Sequence, residues 1–231
     1  MEYIISTEHL TKKYKDTTVL SDISVHIPTA SIYGLIGNNG AGKTTLMKVL
    51  LGLQAPTSGT VKKDKTITTG AILDYPALFP LWSARKNLKY QLSLIQNPKL
   101  SINELLEIVN LKDTKKPVFQ YSYGMKQRLA LALALANKPK LLFLDEPLNG
   151  LDPQGIRDIR SLIKELSNDG TTIIISSHIL DELQKIVTHV GFLQNGQLIK
   201  ECELEKITDT SLENYYFNEF GGKTYESIIK N

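Results

Sequence analysis

A chain of 231 residues, of which 42% are hydrophobic and 22% charged, is long enough to bury a sizeable core and has the composition of a globular protein. Its formal net charge of +3 is small, and no dense run of Lys and Arg indicates a nucleic-acid or membrane-surface patch. The single cysteine, Cys202, excludes an intramolecular disulfide framework and is typical of a reducing compartment.

The sequence contains no segment that we expect to enter or cross a membrane. Acidic residues occur early, and no apolar core of signal-peptide length follows them, which predicts no secretion signal. The most apolar stretch, residues 129–136, is far shorter than the roughly 20 residues that span a bilayer. We therefore expect a buried helix there, and any membrane role to depend on a separate polypeptide.

Residues 2–52 predict strands followed by a loop and a helix. The segment 2–36 is rich in β-branched residues and ends in the apolar run SIYGLIG, which predicts short strands. A glycine-rich turn at 37–42 follows. The residues after this turn have apolar side chains at helical spacing up to Gly52.

Residues 81–136 have a different pattern, in which helical segments dominate. The segments NLKYQLSLI, SINELLEIVNL and GMKQRLALALALA are separated by an Asn-Pro pair at 97–98 and by a break at 115–117. We therefore expect a helical insertion at about 81–136.

Alternation of strands and helices returns in the last part of the chain. LLFLD and TTIIISS are continuous apolar runs of the kind found in parallel strands that are buried on both faces. Asp152 and Pro153 predict the N-cap and first residue of a helix that Gly170 ends. An Asn-Gly pair at 195–196 predicts a hairpin turn, and the tail at about 205–231 carries no motif.

A phosphate-binding loop is predicted between an apolar strand and a helix. The segment that begins at Gly37 matches G-x-x-x-x-G-K-[ST] in full. Its glycines allow consecutive backbone N–H groups to face the phosphates of ATP, and the helix N-terminus adds a favourable dipole. We expect Lys43 to reach the β- and γ-phosphates as a catalytic residue, and Thr44 to ligate Mg²⁺. The predicted ATP-binding residues of the loop are Gly37, Asn38, Asn39, Gly40, Ala41, Gly42, Lys43, Thr44 and Thr45.

Two carboxylates end the apolar strand in LLFLDEP. This arrangement delivers acidic side chains to the carboxyl edge of a parallel sheet, where ligands bind. Asp145 is expected to hold Mg²⁺, directly or through water. Glu146 is expected to polarise the attacking water, because a carboxylate is needed within one hydrogen bond of the nucleophile.

The segment YSYGMKQR at 121–128 resembles the signature motif of the ABC family of ATPases. It lies shortly before LLFLDEP, as in that family, and Ser122 and Gly124 match the LSGGQ-type sequence. Tyr123 stands where the family has glycine, and Met125 where it has glutamine. This variant resembles the bacterial export branch that includes bacitracin and lantibiotic self-protection. The resemblance implies that Ser122 and Gly124 cap the γ-phosphate that the opposite subunit holds.

Four further positions take their expected roles from this resemblance. Tyr14 is implied to stack on adenine, and Asp152 to end the loop 148–152 that crosses the dimer interface. His178 is implied to contact the γ-phosphate and to act in catalysis. Asp74 stands where most members have glutamine and related exporters often have glutamate. It is implied to bind Mg²⁺ through water and to lie near the membrane subunit.

The resemblance also implies the fold. We expect an α/β protein with a P-loop NTPase (RecA-like) core and a mainly parallel sheet, an N-terminal antiparallel β subdomain and a helical insertion subdomain at about 81–136. One ABC ATPase domain is expected over 1–231, with a short C-terminal tail at about 205–231.

The implied partners are a second ATPase subunit and integral membrane permease subunits, with no nucleic acid. Two ATPase subunits are expected to close head to tail on two ATP molecules. The implied location is peripheral, on the cytoplasmic face of the bacterial membrane, with the isolated protein soluble. Apolar side chains in PALFPLWSARKNL are predicted to dock the membrane subunit, so Trp82→Ala is predicted to disrupt assembly and to leave nucleotide binding intact.

Export is the predicted direction of transport, since the acidic residue 74 and the Ser-x-Gly-Met variant resemble the export branch. An antimicrobial peptide is the predicted cargo, which the family resemblance alone implies. One alternative keeps the ATPase and changes the cargo to sodium, a lipid or a drug. Another is an ABC protein that acts on ribosomes or DNA, which generally has two cassettes or a coiled-coil insertion. A GTPase or a kinase with the same phosphate loop is a further alternative, but it does not explain the signature segment.

Overall fold

The structure is a computed structural model that describes residues 2–73, 78–208 and 210–220. Asp74, predicted as a site residue, lies outside these ranges. The strands are β1 (Tyr3–Tyr14), β2 (Thr17–Ile23), β3 (His26–Pro28), β4 (Ile32–Ile36), β5 (Ser58–Lys63), β6 (Thr69–Ile72), β7 (Leu141–Asp145), β8 (Thr172–Ser176), β9 (His189–Gln194) and β10 (Gln197–Glu203). The helices are α1 (Lys43–Leu51), α2 (Ala84–Ser93), α3 (Ile102–Ile108), α4 (Tyr123–Leu135), α5 (Pro153–Asn168), α6 (Leu180–Gln184) and α7 (Leu212–Phe220).

The N-terminal strands form an antiparallel sheet. β1 pairs antiparallel with β2, β3 and β5, so that one long strand joins three shorter ones. Leu10, Leu20 and Ile23 are fully buried and give this sheet an apolar inner face. The predicted N-terminal antiparallel part of the fold is confirmed, whereas β5 and β6 carry no sequence pattern that predicts them.

A second sheet has the strand order β10-β9-β4-β8-β7-β6, and its pairs are parallel except β9 with β10. β4 and β8 are buried at every residue, which explains their continuous apolar sequences. In register, Ser176 lies beside Leu35 of β4 and beside Asp145 of β7. Because parallel strands end at one edge, the phosphate loop, Asp145 and Ser176 meet there.

The predicted hairpin turn joins β9 to β10. Asn195 and Gly196 both have positive φ, at 49° and 76°, as expected for an Asn-Gly pair in a two-residue hairpin loop. The backbone N–H of Gly196 donates to the carbonyl of Ala41 at 3.1 Å. This hairpin therefore also braces the phosphate loop.

The helices follow the capping signals in the sequence. Asp152 caps α5 by accepting from Gly155 N at 2.7 Å, with Pro at the first helical turn, and Gly170 at φ 87° follows the helix end. Ser101 and Glu104 form a reciprocal capping box at α3. The segment ILDELQKIV forms only the short α6. The predicted α/β class, with a mainly parallel sheet, is confirmed.

The C-terminal tail, in which the sequence shows no motif, contains the helix α7. Leu212 and Tyr216 are buried on the inner side of this helix. Its apolar residues are mostly aromatic, and Tyr215, Tyr216 and Phe220 pack on Phe192 of β9. They do not form a long periodic pattern. Within the described ranges, no helix combines the length and apolarity that are needed to cross a bilayer.

Candidate nucleotide site

A cleft of about 500 Å³ lies between the phosphate loop, the carboxyl edge of the parallel sheet and the start of α4. It brings together residues from the predicted phosphate loop, the paired carboxylates and the signature segment. Its lining residues are Val19, Asn39, Gly40, Gly42, Lys43, Thr44, Thr45, Tyr123, Gln127, Asp145, Glu146 and Asn149.

The phosphate loop uses its glycines in two different ways. Gly40 and Gly42 have positive φ, at 84° and 106°, which favours glycine. Gly42 also caps α1 without any side chain, so the N–H groups of the first turn are left to bind an anion. Gly37 has no positive φ, but a Cβ atom there would lie 2.2 Å from the carbonyl oxygen of Leu193. Close packing on β9, and not backbone conformation, therefore requires glycine at 37.

Lys43 is held inside the loop. Its side chain is buried, and Nζ donates to the carbonyl oxygens of Gly37 at 2.6 Å and Asn38 at 3.2 Å. Both acceptors are neutral, and no ion pair of Lys43 occurs among the residues that the structure describes. A phosphate oxygen is a stronger, charged acceptor for the same donor.

Thr44, Asp145 and Ser176 form a chain of hydrogen bonds at the sheet edge. Thr44 Oγ1 donates to Asp145 Oδ2 at 2.5 Å, and Ser176 Oγ donates to Asp145 Oδ1. A hydroxyl and a carboxylate are oxygen ligands of the type that Mg²⁺ prefers, together with phosphate oxygens and water. Among the described residues, no group of three or more His, Cys, Asp or Glu side chains forms a metal site. The hydroxyl of Thr44 and the carboxylate of Asp145 are chemically suited to hold Mg²⁺.

Glu146 has an uncommon backbone conformation that directs its side chain. Its φ is 50°, in the left-handed region that costs energy for a residue with a Cβ atom. Its backbone N–H donates to Ser176, at 3.2 Å to the carbonyl oxygen and 3.0 Å to Oγ. The carboxylate Oε2 accepts from His178 N at 3.3 Å and lies 3.0 Å from His178 Nδ1. The structure therefore brings two of the three predicted catalytic side chains, Glu146 and His178, into contact.

The signature segment begins α4. Ser122 is the N-cap and accepts from Met125 N at 3.3 Å. A Cβ atom on Gly124 would meet only ordinary contacts, with the nearest atom of Leu151 at 3.5 Å. Packing against the described part of the chain therefore does not require glycine at 124.

Tyr123, which replaces the glycine of the family motif, lies between α4 and the loop 148–152. Its ring carbons lie 3.2 Å from the position that a Cβ atom on Gly150 would occupy. Gly150 has φ 69° and leaves room for this ring. Tyr123 and Gln127 line the cleft, whereas the two motif positions Ser122 and Gly124 are not among its lining residues.

An ion pair ties α4 to α5. Arg128 Nη2 lies 2.5 Å from Asp158 Oδ2, and Arg128 Nη1 donates to the carbonyl of Val109 at 2.8 Å. The hydrogen bond from Arg128 lowers the pKa of the Asp158 carboxyl below its usual value. The pair links the signature helix to the helix that follows the loop 148–152.

Besides Ser122 and Gly124, the predicted site residues Tyr14 and Asp152 lie away from the central chain of hydrogen bonds. Tyr14 ends β1 with its ring exposed, and its hydroxyl donates to Gln54 Oε1. The Lys12 ammonium lies 5.1 Å from the centre of the Tyr14 ring. Asp152 uses Oδ1 for the cap of α5. Neither residue lines the cleft described above.

Sequence analysis missed Ser176, Asn149, Tyr123 and Gln127. Ser176 contacts both Asp145 and the backbone of Glu146. The signal for it was present, because a polar residue at the end of the apolar strand TTIIISS reaches the same sheet edge as Asp145. Tyr123 and Gln127 lie on α4 and Asn149 lies in the loop 148–152, so their place in the cleft depends on how these two segments pack on the core, which no local pattern encodes.

A patch of aromatic side chains lies just after the undescribed residues 74–77. We call Phe79, Leu81, Trp82, Lys86 and Tyr90 the aromatic patch. Trp82 stacks on Phe79 with ring centres 4.2 Å apart, and the Lys86 ammonium lies 4.4 Å from the Trp82 ring centre. Tyr90 contacts both rings edge-on. Leu81 is the most exposed apolar residue of the patch, at 78%.

Comparison with known proteins gives consistent matches. A family model described as "ABC transporter" matches residues 20–149. The bacitracin transport ATP-binding protein of Enterococcus faecalis is 42% identical over all of this chain and 79% of its own length. The lantibiotic transport ATP-binding protein of Streptococcus pyogenes is 40% identical over 87% of this chain and 92% of its own. A solved dimeric structure of a bacterial ABC transporter cassette superposes with a TM-score of 0.78 at 25% identity, covering 87% of this chain and 98% of that chain.

Proposed function

Because this chain belongs to the ABC transporter family of ATP-binding proteins, we propose that it hydrolyses ATP with Mg²⁺ in the cleft and powers export of an antimicrobial peptide. The family membership confirms the resemblance that the signature segment predicted. The observation that carries the proposal is the meeting of a complete phosphate loop with the pairs Thr44–Asp145 and Glu146–His178 at one sheet edge.

The phosphate loop and α1 bind the phosphates of ATP. Lys43 exchanges the carbonyl of Gly37 for a phosphate oxygen, and the first-turn N–H groups of α1 add neutral donors. Thr44 and Asp145 hold Mg²⁺, which when bound neutralises charge on the phosphate oxygens. Because these donors are fixed before the reaction, they stabilise developing charge with little reorganisation.

Glu146 orients and polarises the attacking water. Its backbone is fixed by Ser176, and its Oε2 is fixed by His178, so the carboxylate points in one direction. A carboxylate within hydrogen-bond reach of the water accepts its proton as attack proceeds. His178 holds the carboxylate and lies beside the phosphate loop.

A second ATPase subunit completes the site in this proposal. Ser122 and Gly124 lie at the N-terminus of α4, where the helix dipole favours an anion. Among the described residues, a Cβ atom on Gly124 would meet only an ordinary contact with Leu151, so the glycine leaves open space that supports a role at a surface that another subunit approaches. The similarity to a dimeric ABC cassette supports the same arrangement.

The aromatic patch is the proposed docking site for a membrane permease subunit. It offers exposed apolar area at Leu81, Phe79 and Tyr90, and a cation at Lys86. Trp82 is packed within the patch, and its carbonyl accepts from Val118 N at 2.9 Å. Trp82→Ala therefore perturbs local packing as well as any contact with a partner, so Leu81 is the cleaner probe. In this proposal the chain is a peripheral subunit at the cytoplasmic face of the membrane.

The cargo class rests on two relatives, whose names state transport of bacitracin and of a lantibiotic. Both are antimicrobial peptides, and both proteins align with most of this chain. We therefore propose that the chain energises removal of a peptide of this class from the producer's membrane.

Protection of sensitive cells tests the proposed function. The chain, expressed with its membrane subunits in a bacitracin- and lantibiotic-sensitive host, is expected to raise the inhibitory concentration of one of these peptides. Lys43→Ala in the same strain is the matched control and is expected to give no protection. Equal protection by the Lys43→Ala variant, or protection only against an unrelated drug, would contradict the proposal.

A further inference from the structure

The C-terminal helix α7 lies against the nucleotide site. Leu212 and Tyr216 of this helix are buried, and the Tyr216 ring stacks on Phe192 of β9 with centres 6.2 Å apart. Phe192 pairs in register with Ile36, the last residue before the phosphate loop. The helix therefore packs on the strand beside the one that leads into the loop.

Both ends of α7 are fixed to the core. The backbone N–H of Leu212 donates to Gln184 Oε1 at 2.8 Å, at the end of α6. Near the other end, Gln194 Nε2 donates to the carbonyl of Phe220 at 3.4 Å. Because α6 follows His178 closely in the chain, α7 joins the segment that carries His178 to the strands that carry the phosphate loop.

A side chain of α7 contacts the phosphate loop directly. The Tyr216 hydroxyl donates to Asn38 Oδ1 at 3.1 Å. The carbonyl oxygen of the same Asn38 accepts from Ala41 N at 3.1 Å and from Lys43 Nζ at 3.2 Å. A small cleft lined by Asn38, Asn39, His178 and Tyr216 adjoins this contact. The backbone carbonyl of Asn38 is thus held by donors within the loop, and its side chain is held by a donor on α7.

We propose that Tyr216 is a positioning residue that orders the phosphate loop through Asn38, so that α7 is part of the nucleotide site. The ring of Tyr216 stacks on Phe192, and this contact fixes the position of the hydroxyl relative to the sheet. Loss of the hydroxyl releases the Asn38 side chain and allows the loop more conformations. Nucleotide binding must then order the loop, which lowers affinity and leaves the chemical step at Glu146 unchanged.

The inference rests on the proposed function, in which this loop binds ATP. Tyr216→Phe in the full chain keeps the ring and removes only the hydroxyl. Losing one hydrogen bond is expected to raise the KM for ATP and the Kd for MgADP about 3- to 10-fold, with kcat within about twofold of wild type. Tyr215→Phe is the matched control, because it removes a hydroxyl from the same helix that bonds Lys200 and not the loop. This control is expected to bind nucleotide like wild type.

A double-mutant cycle separates positioning from a general effect on folding. Asn38→Ala is expected to raise the Kd for MgADP by a similar factor, and the double variant to add little more. Three results would each overturn the role of Tyr216. The first is a double variant whose Kd for MgADP rises by the full product of the two single effects. The others are an unchanged Kd in Tyr216→Phe and an equal rise in Kd in Tyr215→Phe.

Wild-type turnover tests the proposed function separately. If wild type binds MgADP but does not hydrolyse ATP, the proposed function fails and the Kd comparison still decides the role of Tyr216. If wild type binds neither nucleotide, both proposals fall.

Discussion

His178 and Glu146 are joined at two points: Glu146 Oε2 accepts from the backbone N–H of His178 at 3.3 Å and lies 3.0 Å from Nδ1 of its ring. The imidazole is more exposed than the carboxylate that it holds, with side-chain exposures of 57% and 23%. The exposed ring can therefore meet nucleotide or a second chain while it fixes the carboxylate. This contact links Glu146, which is proposed to activate the attacking water, with His178, which is implied to contact the γ-phosphate.

His178→Ala is expected to lower kcat for ATP hydrolysis about 10²-fold and to change KM little, because Glu146 keeps its charge but loses a defined direction. Steady-state ATPase assays measure both constants. His9→Ala is the matched control, since His9 pairs with Asp22 on the N-terminal sheet. Full activity in His178→Ala would remove His178 from the mechanism.

Gly37→Ala is expected to destabilise the fold, because the new Cβ atom would lie 2.2 Å from the backbone carbonyl of Leu193. Such overpacking costs about 1–3 kcal/mol in the free energy of unfolding. Gly124→Ala is the control, since its Cβ atom meets only ordinary contacts. Chemical denaturation of both variants measures the difference. Equal free energies of unfolding in the two variants would contradict this prediction, because they would show that β9 moves away from the new Cβ atom at no cost.

Asp158→Asn is expected to destabilise the protein at pH 7 and to have a smaller effect in acid. The pKa of Asp158 is lowered in the folded chain by the hydrogen bond from Arg128. The stability that this lowered pKa provides is therefore complete above the unfolded value, about 4, and is lost as pH falls through the lower folded value. We expect a loss of about 1 kcal/mol at pH 7, measured by denaturation across pH. This account would be contradicted if the free energies of unfolding of wild type and variant differed by the same amount down to pH 3, because ~3 lies below the unfolded pKa.

Leu81→Asp is expected to abolish co-purification with the membrane subunit and to leave the Kd for ATP unchanged. The exposed leucine offers apolar area for docking, and a charge there must be desolvated without a partner. Ile199→Asp is the control, because Ile199 is an exposed apolar residue on β10, at the opposite end of the sheet from β6. Retention of the complex by Leu81→Asp would place the docking surface elsewhere.

Local patterns in the sequence predicted much of the fold and most of the central site. Continuous apolar strands, Asp152 as a cap and the Asn-Gly turn are local signals, and each has its predicted structure. The hydrogen bond between Thr44 and Asp145 follows from the shared edge of parallel strands.

What the sequence did not reveal depends on packing between distant segments. Gly37 is required by Leu193, far along the chain, and not by its own backbone angle. α7 was missed because its aromatic residues form no long period, although Tyr216 reaches Asn38. Such contacts between distant segments leave no local pattern.

The central claim is that Glu146 activates water in a site that two chains complete. Size-exclusion chromatography and ATP turnover of Glu146→Gln beside wild type test it most directly. The account predicts that the variant loses turnover by about 10²-fold or more and accumulates as a dimer only when ATP is present, because ATP stays uncleaved between the chains. Full turnover in the variant, or hydrolysis by a wild-type chain that remains a strict monomer, would contradict the account.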